Sequence, residues 1–416
     1  MAKSVQSTGE KDQTGFAPVG ARIGGAGVGS DVRAISVDDF DRNVWCVLGL
    51  PIDVTDVDGA IAEIDQAVRD NKKLSFVTPN VNWLVRSFRD PGARREMLDA
   101  DLSLVDGAPL VALAKILAVP AKSRVAGSDL FEALRRRPAF VSSRIKVFFF
   151  GGRDGAAQAA MNEINSNDSG LEAVGFHNPG FGDIESMSAK PVIDKINRAK
   201  PDFIVVALGA AKGQAWIDRN QSRLGAPVLA HLGAVVDFTA GGISRAPKWL
   251  QTIGLEWAWR IKEEPSLWRR YFADGLSLVQ IAVTGLLPQL YLPVQATSNA
   301  QSSVKVEHGP SKATIVLSGD IRHATLRPIR EAFRKAAALG SDICLDFSSV
   351  GSFDRAFLGQ VLMLEKNLMR SGQNIYIAGV QPSHLRVLKA NQMGYPISEA
   401  DERKPANLRA TRRAAV

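Results

Sequence analysis

Asp106 is the side chain of this sequence with the clearest potential to act as a general base. It opens the tetrapeptide Asp106-Gly107-Ala108-Pro109, directly after the predicted strand 101–105. A carboxylate at a strand end can accept a proton from a bound hydroxyl within hydrogen-bond reach. The structural alternative is a turn or a helix cap, which is the usual purpose of Asp-Gly pairs. The residues alone leave both interpretations open.

Glycines and an arginine offer groups that bind phosphate. Gly151 and Gly152 follow the apolar run 145–150 and precede a helical segment, where free backbone N–H groups bind phosphate oxygens. The signal is weak alone, because the sequence is neither G-x-G-x-x-G nor a Walker motif with its lysine. Arg124, in the segment S-R-V-A-G-S-D-L, can hold a phosphate or pair with a carboxylate in the site. A surface salt bridge is the alternative for Arg124.

The stretch 233–271 combines small residues, aromatic residues and cations. Its first residues, 233–237, are interpreted as a strand and turn. Trp249, Ile253 and Trp257 then recur at four-residue spacing, which predicts one face of a single helix. Indoles beside cations favour a membrane interface or a sugar ring, and arginines favour a diphosphate. A core helix with a solvated basic side is the alternative. The cations are Arg245, Lys248, Arg260, Lys262, Arg269 and Arg270.

Apolar strands alternate with helical segments up to about residue 232. Strands are predicted at 44–50, 74–77, 101–105, 145–150, 171–176, 203–208 and 227–232. Such strands predict an α/β fold with a Rossmann-like parallel sheet that helices cover on both faces. Ligands of these sheets bind beyond the carboxyl ends of the strands. The residues at those ends are Thr78, Asn80, Asp106, Gly151, Gly209 and Gly233.

Five short motifs in the stretch 233–271 resemble the C-terminal signature of the WecG/TagA/CpsF glycosyltransferase family. They are Gly233-Ala234, Asp237-Phe238, Arg245-Ala246-Pro247, Gly254-Leu255-Glu256-Trp257 and Arg270-Tyr271. The family's T-P-N and D-G-x-P motifs also occur, as Thr78-Pro79-Asn80 and Asp106-Gly107-Ala108-Pro109, and its R-x-x-G-x-D-L motif as Arg124, Gly127 and Asp129. The resemblance implies that Asp106 is the base and that Thr78 and Asn80 line its pocket.

One motif departs from the family pattern L-G-x-P-K-Q-E-x-W. Here residues 208–216 read L-G-A-A-K-G-Q-A-W, so that Gln214 stands at the glutamate position and Gly213 at the glutamine position. We expect Gln214 to supply an amide to the donor in place of its neighbour, with altered donor contacts.

The resemblance implies an inverting glycosyltransferase that moves a sugar from a UDP-sugar to a polyprenyl-diphosphate-linked saccharide in bacterial surface polysaccharide biosynthesis. No metal or other cofactor is expected, since the five histidines are isolated in sequence. Two alternatives remain, a nucleotide-cofactor oxidoreductase and a non-catalytic scaffold or regulator. The expected substrate contacts are Thr78, Asn80, Arg124, Gly151, Gly152, Gln214, Gly233, Asp237, Arg245 and Arg260.

A second resemblance covers residues 304–397, where the strand-helix pattern and the segment L-D-F-S-S-V are similar to a STAS domain. Regulatory STAS proteins carry a phosphorylatable serine after the aspartate of this region, whereas Arg355 follows Asp354 here. We therefore expect the domain to dock to a protein partner or to the enzyme domain, rather than to act as a phosphorylation switch.

The composition predicts a multidomain globular protein. Its 416 residues carry a net charge of +8, which indicates anionic partners such as acidic lipid or phosphorylated sugars. Nucleic acid is not expected, because no binding module is recognisable. Two cysteines provide no disulfide framework, as in a reducing cytoplasm.

The predicted organisation has five parts. They are a disordered tail (1–43), the glycosyltransferase domain (44–275), an apolar membrane-interface segment and linker (276–311), the STAS-like domain (312–400) and a basic tail (401–416). We expect a homo-oligomer that associates peripherally with the cytoplasmic face of the inner membrane.

Overall fold

The computed structural model describes residues 38–138, 144–167, 169–242, 244–252, 254–290, 302–309 and 312–398. Within the predicted N-terminal tail, residues 1–37 lie outside the described residues, as does the whole predicted C-terminal tail 401–416. Residues 38–43 differ from the prediction, because Asp39, Phe40 and Arg42 are buried.

The first α/β unit begins with a hairpin where the sequence predicts one strand. Its strands are β1 (Val44–Val47) and β2 (Leu50–Asp53), which pair antiparallel around the turn at Leu48 and Gly49. The elements that follow are α1 (Val57–Asp70), β3 (Leu74–Val77), α2 (Val81–Arg89), α3 (Pro91–Asp99), β4 (Leu102–Ser103), α4 (Ala108–Ile116), α5 (Gly127–Arg136), β5 (Ile145–Gly151), α6 (Ala156–Asn165), β6 (Leu171–His177), α7 (Ile184–Met187), α8 (Lys190–Arg198), β7 (Phe203–Ala207), α9 (Ala210–Asn220) and β8 (Val228–His231).

Six strands of this unit form one parallel sheet in the order β4-β3-β8-β7-β5-β6. Strand β5 is buried on both faces of the sheet. Successive side chains of a strand point to opposite faces, so the residues of β5 contribute alternately to two cores. Val147 and Phe149 belong to the core beneath α1, α5 and α6, whereas Phe148 and Phe150 belong to the core beneath α8 and α9. The predicted Rossmann-like parallel sheet is confirmed. Strand β4 is shorter than predicted and lies at the sheet edge.

The stretch 233–271 folds differently from the prediction. Residues 233–237 are not a strand and turn, because Gly233 begins helix α10 (Gly233–Thr239) directly after β8. The predicted single helix is two short helices, α11 (Lys248–Thr252) and α12 (Glu256–Glu263). The chain turns between them at Gly254, whose φ of +78° is incompatible with a continuing helix. Trp249 and Trp257 therefore do not share one helix face.

A longer helical segment follows a 3₁₀ turn at Pro265–Leu267. It consists of α13 (Trp268–Ile281), a π-helical stretch (Ala282–Leu286) and α14 (Leu287–Leu290). Its inner side packs into the core beside α2 and α4 through Leu278, Ile281 and Leu286. Within the described residues, no helix combines the length and the apolar character needed to cross a membrane.

The second α/β unit is built on a four-stranded sheet in the order β12-β11-β10-β9. Strand β9 pairs antiparallel with β10, and the other two pairs are parallel. The elements are β9 (Ser303–His308), β10 (Lys312–Ile321), α15 (Leu326–Ala337), β11 (Asp342–Phe353), α16 (Arg355–Arg370), β12 (Ile375–Ala378) and α17 (Pro382–Ala390). Strand β9 lies in the stretch that the sequence predicts as a linker.

The two units pack closely against each other through the hairpin and α16. Gly359 permits this contact, since a Cβ at that position would overlap the carbonyl oxygen of Val44. Lys366, only 1% exposed, donates to Asp39 Oδ1 at 2.6 Å and to the carbonyl oxygen of Ala100 at 3.0 Å. The smaller domain therefore docks to the enzyme domain, one of the two arrangements that the sequence predicts.

Candidate active site

Three loops meet beyond the carboxyl ends of β3 and β4. The backbone N–H of Asp106 donates to the carbonyl oxygen of Pro79 at 2.9 Å, and that of Val125 donates to Val105 at 2.7 Å. These bonds hold the loop after β3, the loop after β4 and the segment carrying Arg124 side by side. Four of the predicted site residues, Thr78, Asn80, Asp106 and Arg124, lie on these three segments.

Asn80 and Gly107 shape the turns beside Asp106. The Oδ1 of Asn80 caps α2 by accepting from the N–H groups of Asn82 at 3.1 Å and Trp83 at 3.4 Å. The cap leaves the NH₂ group of Asn80 as the donor available to a ligand. Gly107 has a φ of +85°, and a Cβ there would lie 3.9 Å from the Cβ of Asn80. The turn that places Asp106 therefore requires glycine at 107.

The carboxyl group of Asp106 has a pKa suited to proton transfer at neutral pH. Burial raises this pKa to about 7, and the negative charge of Glu256 adds to the increase, whereas Arg124 opposes it. A general base works best when its pKa lies near the operating pH, because it is then both unprotonated and basic enough. Asp106 is thus a carboxylate that can accept a proton from a hydroxyl at neutral pH.

Arg124 connects the Asp106 loop to helices α11 and α12, which contain three tryptophans. Its guanidinium group contacts Glu256 and donates to Asp129 Oδ2 at 3.1 Å and to Gln251 Oε1 at 2.8 Å. Arg245 contacts the same Asp129. Helices α11 and α12 are therefore anchored beside the candidate base.

Two members of this cluster were not singled out as site residues by the sequence reasoning. Glu256 lies within the G-L-E-W motif, so a signal for it was present. Gln251 belongs to no quoted motif, and only the tertiary contact with Arg124 identifies it.

A second charged cluster surrounds Glu264 and includes two predicted site residues, Asp237 and Arg260. Asp237 lies 3.8 Å from Arg153 Nε, and Arg260 lies 3.9 Å from Glu264, which Arg153 also contacts. Burial raises the pKa of Asp237. Arg260 also lies over the ring of Phe238, with 4.8 Å to its centre. Arg153 follows Gly152 directly and was missed by the sequence reasoning.

In the structure, Gly151 and Gly152 do not form the helix N-terminus that the sequence predicts as a phosphate contact. The N–H of Gly152 is not free, because it donates to the carbonyl oxygen of Ala207 at 2.8 Å. Helix α6 begins only at Ala156. A Cβ at Gly151 would lie 2.5 Å from that same oxygen. The close approach of β5 and β7 is thus the physical reason for glycine at 151.

Gln214 is turned into the protein rather than toward a ligand. It is 1% exposed, and its Nε2 donates to Asp218 Oδ1 at 3.1 Å within α9, while its buried Oε1 has no partner among the described residues. A Cβ at Gly213 would overlap the imidazole of His231, so glycine at 213 makes room for this ring. Burial lowers the pKa of His231 to about 4, which leaves the ring neutral at pH 7.

Two cavities flank the Arg124 cluster. One, of about 540 Å³, includes Arg124, Gln251 and the beginning of α4 in its lining. The other, of about 400 Å³, includes Ser128, Phe238 and Arg245. Among the residues that the structure describes, no three His, Cys, Asp or Glu side chains are grouped so as to hold a metal ion.

The parallel sheet, the loops at its carboxyl edge and the attached smaller domain define an α/β enzyme domain joined to a STAS-like domain. Residues 45–290, more than half of the chain, match the family described as "Glycosyl transferase WecG/TagA/CpsF family". The chain belongs to this family, as the sequence motifs predict. Residues 304–394 match the family described as "Mlab, STAS domain".

Two similar proteins share the name of one sugar-transferring enzyme. The N-acetylglucosaminyldiphosphoundecaprenol N-acetyl-beta-D-mannosaminyltransferase of Bacillus spizizenii (strain W23) is 28% identical over 211 residues, which are 50% of this chain and 79% of the relative. The enzyme of the same name from Bacillus subtilis (strain 168) is 26% identical over 223 residues, 54% of this chain and 81% of the relative. A solved structure of the anti-sigma factor antagonist SpoIIAA in its unphosphorylated form covers 26% of this chain and 98% of its own, at 20% identity and a TM-score of 0.22.

Proposed function

We propose that this protein is an inverting glycosyltransferase that transfers a sugar from a UDP-sugar to a polyprenyl-diphosphate-linked saccharide. The observation that carries the proposal is the raised pKa of Asp106, at converging loops beside Arg124. Family membership supports sugar transfer, and the names of the relatives support a lipid-diphosphate acceptor. The reaction would serve bacterial surface polysaccharide biosynthesis.

In the proposed reaction the acceptor hydroxyl attacks the anomeric carbon of the donor sugar. Asp106 takes the hydroxyl proton, a new glycosidic bond forms, and the bond to UDP breaks with the electron pair leaving on the phosphate oxygen. A single displacement inverts the anomeric carbon. Charge develops on the departing diphosphate, where cations stabilise the transition state. We assign that task to Arg245 and Arg260, with Arg153 as an addition from the structure.

The remaining predicted contacts keep narrower roles in this proposal. Thr78 and the NH₂ group of Asn80 line the acceptor side of the pocket. Gly151, Gly152 and Gly233 shape the donor side through their backbones, and Asp237 orients Arg153. Gln214 supports α9 from within rather than touching the sugar, because its side chain is buried.

The proposed location is the cytoplasmic face of the inner membrane. Helix α13 and its continuation expose a row of apolar side chains at helical spacing: Phe272, Leu276, Val279 and Val283. Arg269 and Arg270 stand at the beginning of this helix. Such a helix can rest its apolar face in the interface while cations meet anionic lipid. The five-part domain organisation and self-association also stay proposals, with the enzyme domain extended to include residues 38–43.

The test is release of UDP from radiolabelled UDP-sugars in the presence of a lipid-diphosphate saccharide acceptor. We expect acceptor-dependent turnover by the wild type and a loss of about 10²- to 10⁴-fold in Asp106→Asn, the usual contribution of a general base. Asp154→Asn, an exposed carboxylate on the loop after β5, is the matched control. Equal turnover by wild type and Asp106→Asn would refute the assignment of the base. No turnover with any UDP-sugar would favour the scaffold alternative.

A further inference from the structure

A basic cavity runs along the outer side of α4, next to the Asp106 loop. Its volume is about 540 Å³, and its lining consists of Ala108, Val111, Ala112, Lys115, Lys122, Ser123, Arg124 and Gln251. We propose that this cavity binds the diphosphate of the lipid-linked acceptor, with Lys115 and Lys122 as the binding groups. The inference rests on the proposed function and identifies the part of the acceptor that this surface holds.

The charge of the lining selects an anion. Three of the eight lining residues are cations, and none is a carboxylate. The charge of Arg124 is matched by Glu256 and Asp129. Lys115 and Lys122 are exposed, and neither has an ion-pair partner among the residues that the structure describes. Two uncompensated ammonium groups at one cavity suit a ligand with two adjacent negative charges, such as a diphosphate.

The other cavity does not have this property. Its lining includes Glu132 and Glu163 together with its arginines. Arg135 and Arg136 both pair with Glu132 there. An anion would have to displace these carboxylates, which the cavity beside α4 does not require.

The position along α4 fits an acceptor whose sugar reaches Asp106. Ala108, Val111, Ala112 and Lys115 recur at spacings of three and four, so they share one side of the helix. Lys115 lies seven residues beyond Ala108, roughly 10 Å along the axis at about 1.5 Å per residue. One sugar ring and the reach of a lysine side chain can cover this distance. A saccharide at Asp106 would thus place its diphosphate near Lys115.

Small side chains leave room for the ligand on this side of α4. Ala108 and Ala112, which line the cavity between Asp106 and Lys115, have small side chains that do not fill it. At the far end, Ile116 is 52% exposed. An apolar side chain directly after the cationic position matches a ligand in which an isoprenoid chain follows the diphosphate.

The diphosphate of the UDP-sugar is the other source of the same chemistry, and the sheet order argues against it. Gly151 and Gly152, assigned to the donor side, follow β5. Strand β5 is four positions from β4 in the order β4-β3-β8-β7-β5-β6. At about 4.8 Å per strand, the two strand ends are roughly 19 Å apart. The two glycines therefore do not border the cavity beside α4, and its lining contains none of the residues assigned to the donor.

The experiment measures binding without turnover on the full chain. The probe is a water-soluble acceptor analogue, N-acetylglucosaminyl diphosphate on a short prenyl chain, studied by titration calorimetry in the absence of lipid. A second probe replaces the diphosphate with a neutral linker, and a third is the UDP-sugar. The variants are Lys115→Gln, Lys122→Gln, the double variant and Lys335→Gln, an exposed lysine of α15 that serves as control.

We expect each single substitution to weaken binding of the diphosphate analogue about tenfold, the usual effect of a lost charge-assisted contact. In the double variant, the advantage of the diphosphate over the neutral analogue should disappear. Binding of the UDP-sugar and the behaviour of Lys335→Gln should not change.

The inference is overturned if the double variant binds the diphosphate analogue as tightly as the wild type. It is equally overturned if the loss falls on UDP-sugar binding instead. Failure of the proposed function would look different, because the wild type would then show no sugar transfer, whereas the binding comparison would still give its result.

Discussion

At the scale of the residue, Asp106 is defined by what surrounds it. Burial and the negative charge of Glu256 together outweigh the stabilising charge of Arg124. The protein therefore holds, beside Arg124, a carboxyl group whose ionisation is disfavoured. This combination suits proton transfer better than it suits stability.

The same pKa predicts how Asp106 affects stability. Below about pH 4 the carboxyl group is protonated in both folded and unfolded chains, so its raised pKa carries no penalty. As the pH rises from about 4 to about 7, the unfolded chain releases the Asp106 proton while the folded chain keeps it, so the folded state loses stability over this range and remains at the lower value above it. We expect the stability of Asp106→Asn relative to the wild type to increase between pH 4 and pH 8 by up to about 4 kcal/mol, since a rise of the pKa from 3.8 to about 7 corresponds to about three pKa units of about 1.4 kcal/mol each. Urea denaturation at pH 4, 6 and 8 measures this difference, and a difference that does not change with pH would contradict it.

The sequence predicts part of this site, for a physical reason. Thr78, Asn80 and Asp106 follow apolar strands, and parallel strands bring their carboxyl ends to one edge. Glu256 stands 150 positions after Asp106 in the chain, so only tertiary folding shows that its charge acts on the base. The inward orientation of Gln214 was equally invisible, because it depends on packing within α9.

At the scale of the element, the hydrophobic pattern of the sequence predicts the buried strands correctly. It does not predict elements that are short or polar. Continuous apolar runs such as 145–150 and 203–208 are typical of strands that are buried on both faces of a parallel sheet. Residues 233–236 are small and apolar, and four such residues fit a strand or a helix equally well. Strand β9 was missed because S-V-K-V-E-H is polar and lies at a sheet edge with most of its side chains exposed.

Helix α13 gives the element-scale prediction. Its Phe272, Leu276 and Val279 are 70%, 66% and 61% exposed, which is a surface that water solvates poorly. We expect the double substitution Leu276→Glu and Val279→Glu to weaken binding to vesicles of anionic lipid by at least about tenfold, through lost apolar burial and added repulsion. Vesicle sedimentation measures this binding. Leu339→Glu, at an exposed leucine of the smaller domain, is the control and should bind as the wild type does. Unchanged sedimentation of the double variant would refute the membrane contact.

At the scale of the whole molecule, the two domains share a buried charged interface. Asp39 accepts from Lys366 and from Arg42, and burial fails to raise the pKa of Asp39 because these cations hold it below its usual value. Arg42 in turn pairs with Asp53, whose Oδ2 accepts from the N–H of Ser103 in β4 at 2.7 Å. Since Asp106 follows β4, the smaller domain is connected to the strand that carries the candidate base.

This interface predicts a large stability effect from one substitution. Lys366→Met keeps the length of the side chain but leaves Asp39 buried without its closest cation. Breaking a buried pair in this way typically costs about 3 kcal/mol or more. We expect a fall of that size in the free energy of unfolding, measured by chemical denaturation. Lys335→Met on the exposed side of α15 should have almost no effect, and an equally small effect of Lys366→Met would show that the interface contributes little.

The central claim is that Asp106 removes the proton from the acceptor hydroxyl. Its most direct test is the pH dependence of kcat/KM for sugar transfer in the wild type and in Glu256→Gln. The account predicts a rate that rises with pH and levels off above an apparent pKa of about 7 in the wild type. It predicts a lower apparent pKa in Glu256→Gln, because the charge that raises the pKa of Asp106 is gone. A rate that does not depend on pH between 5 and 8, with the same profile in both proteins, would contradict it.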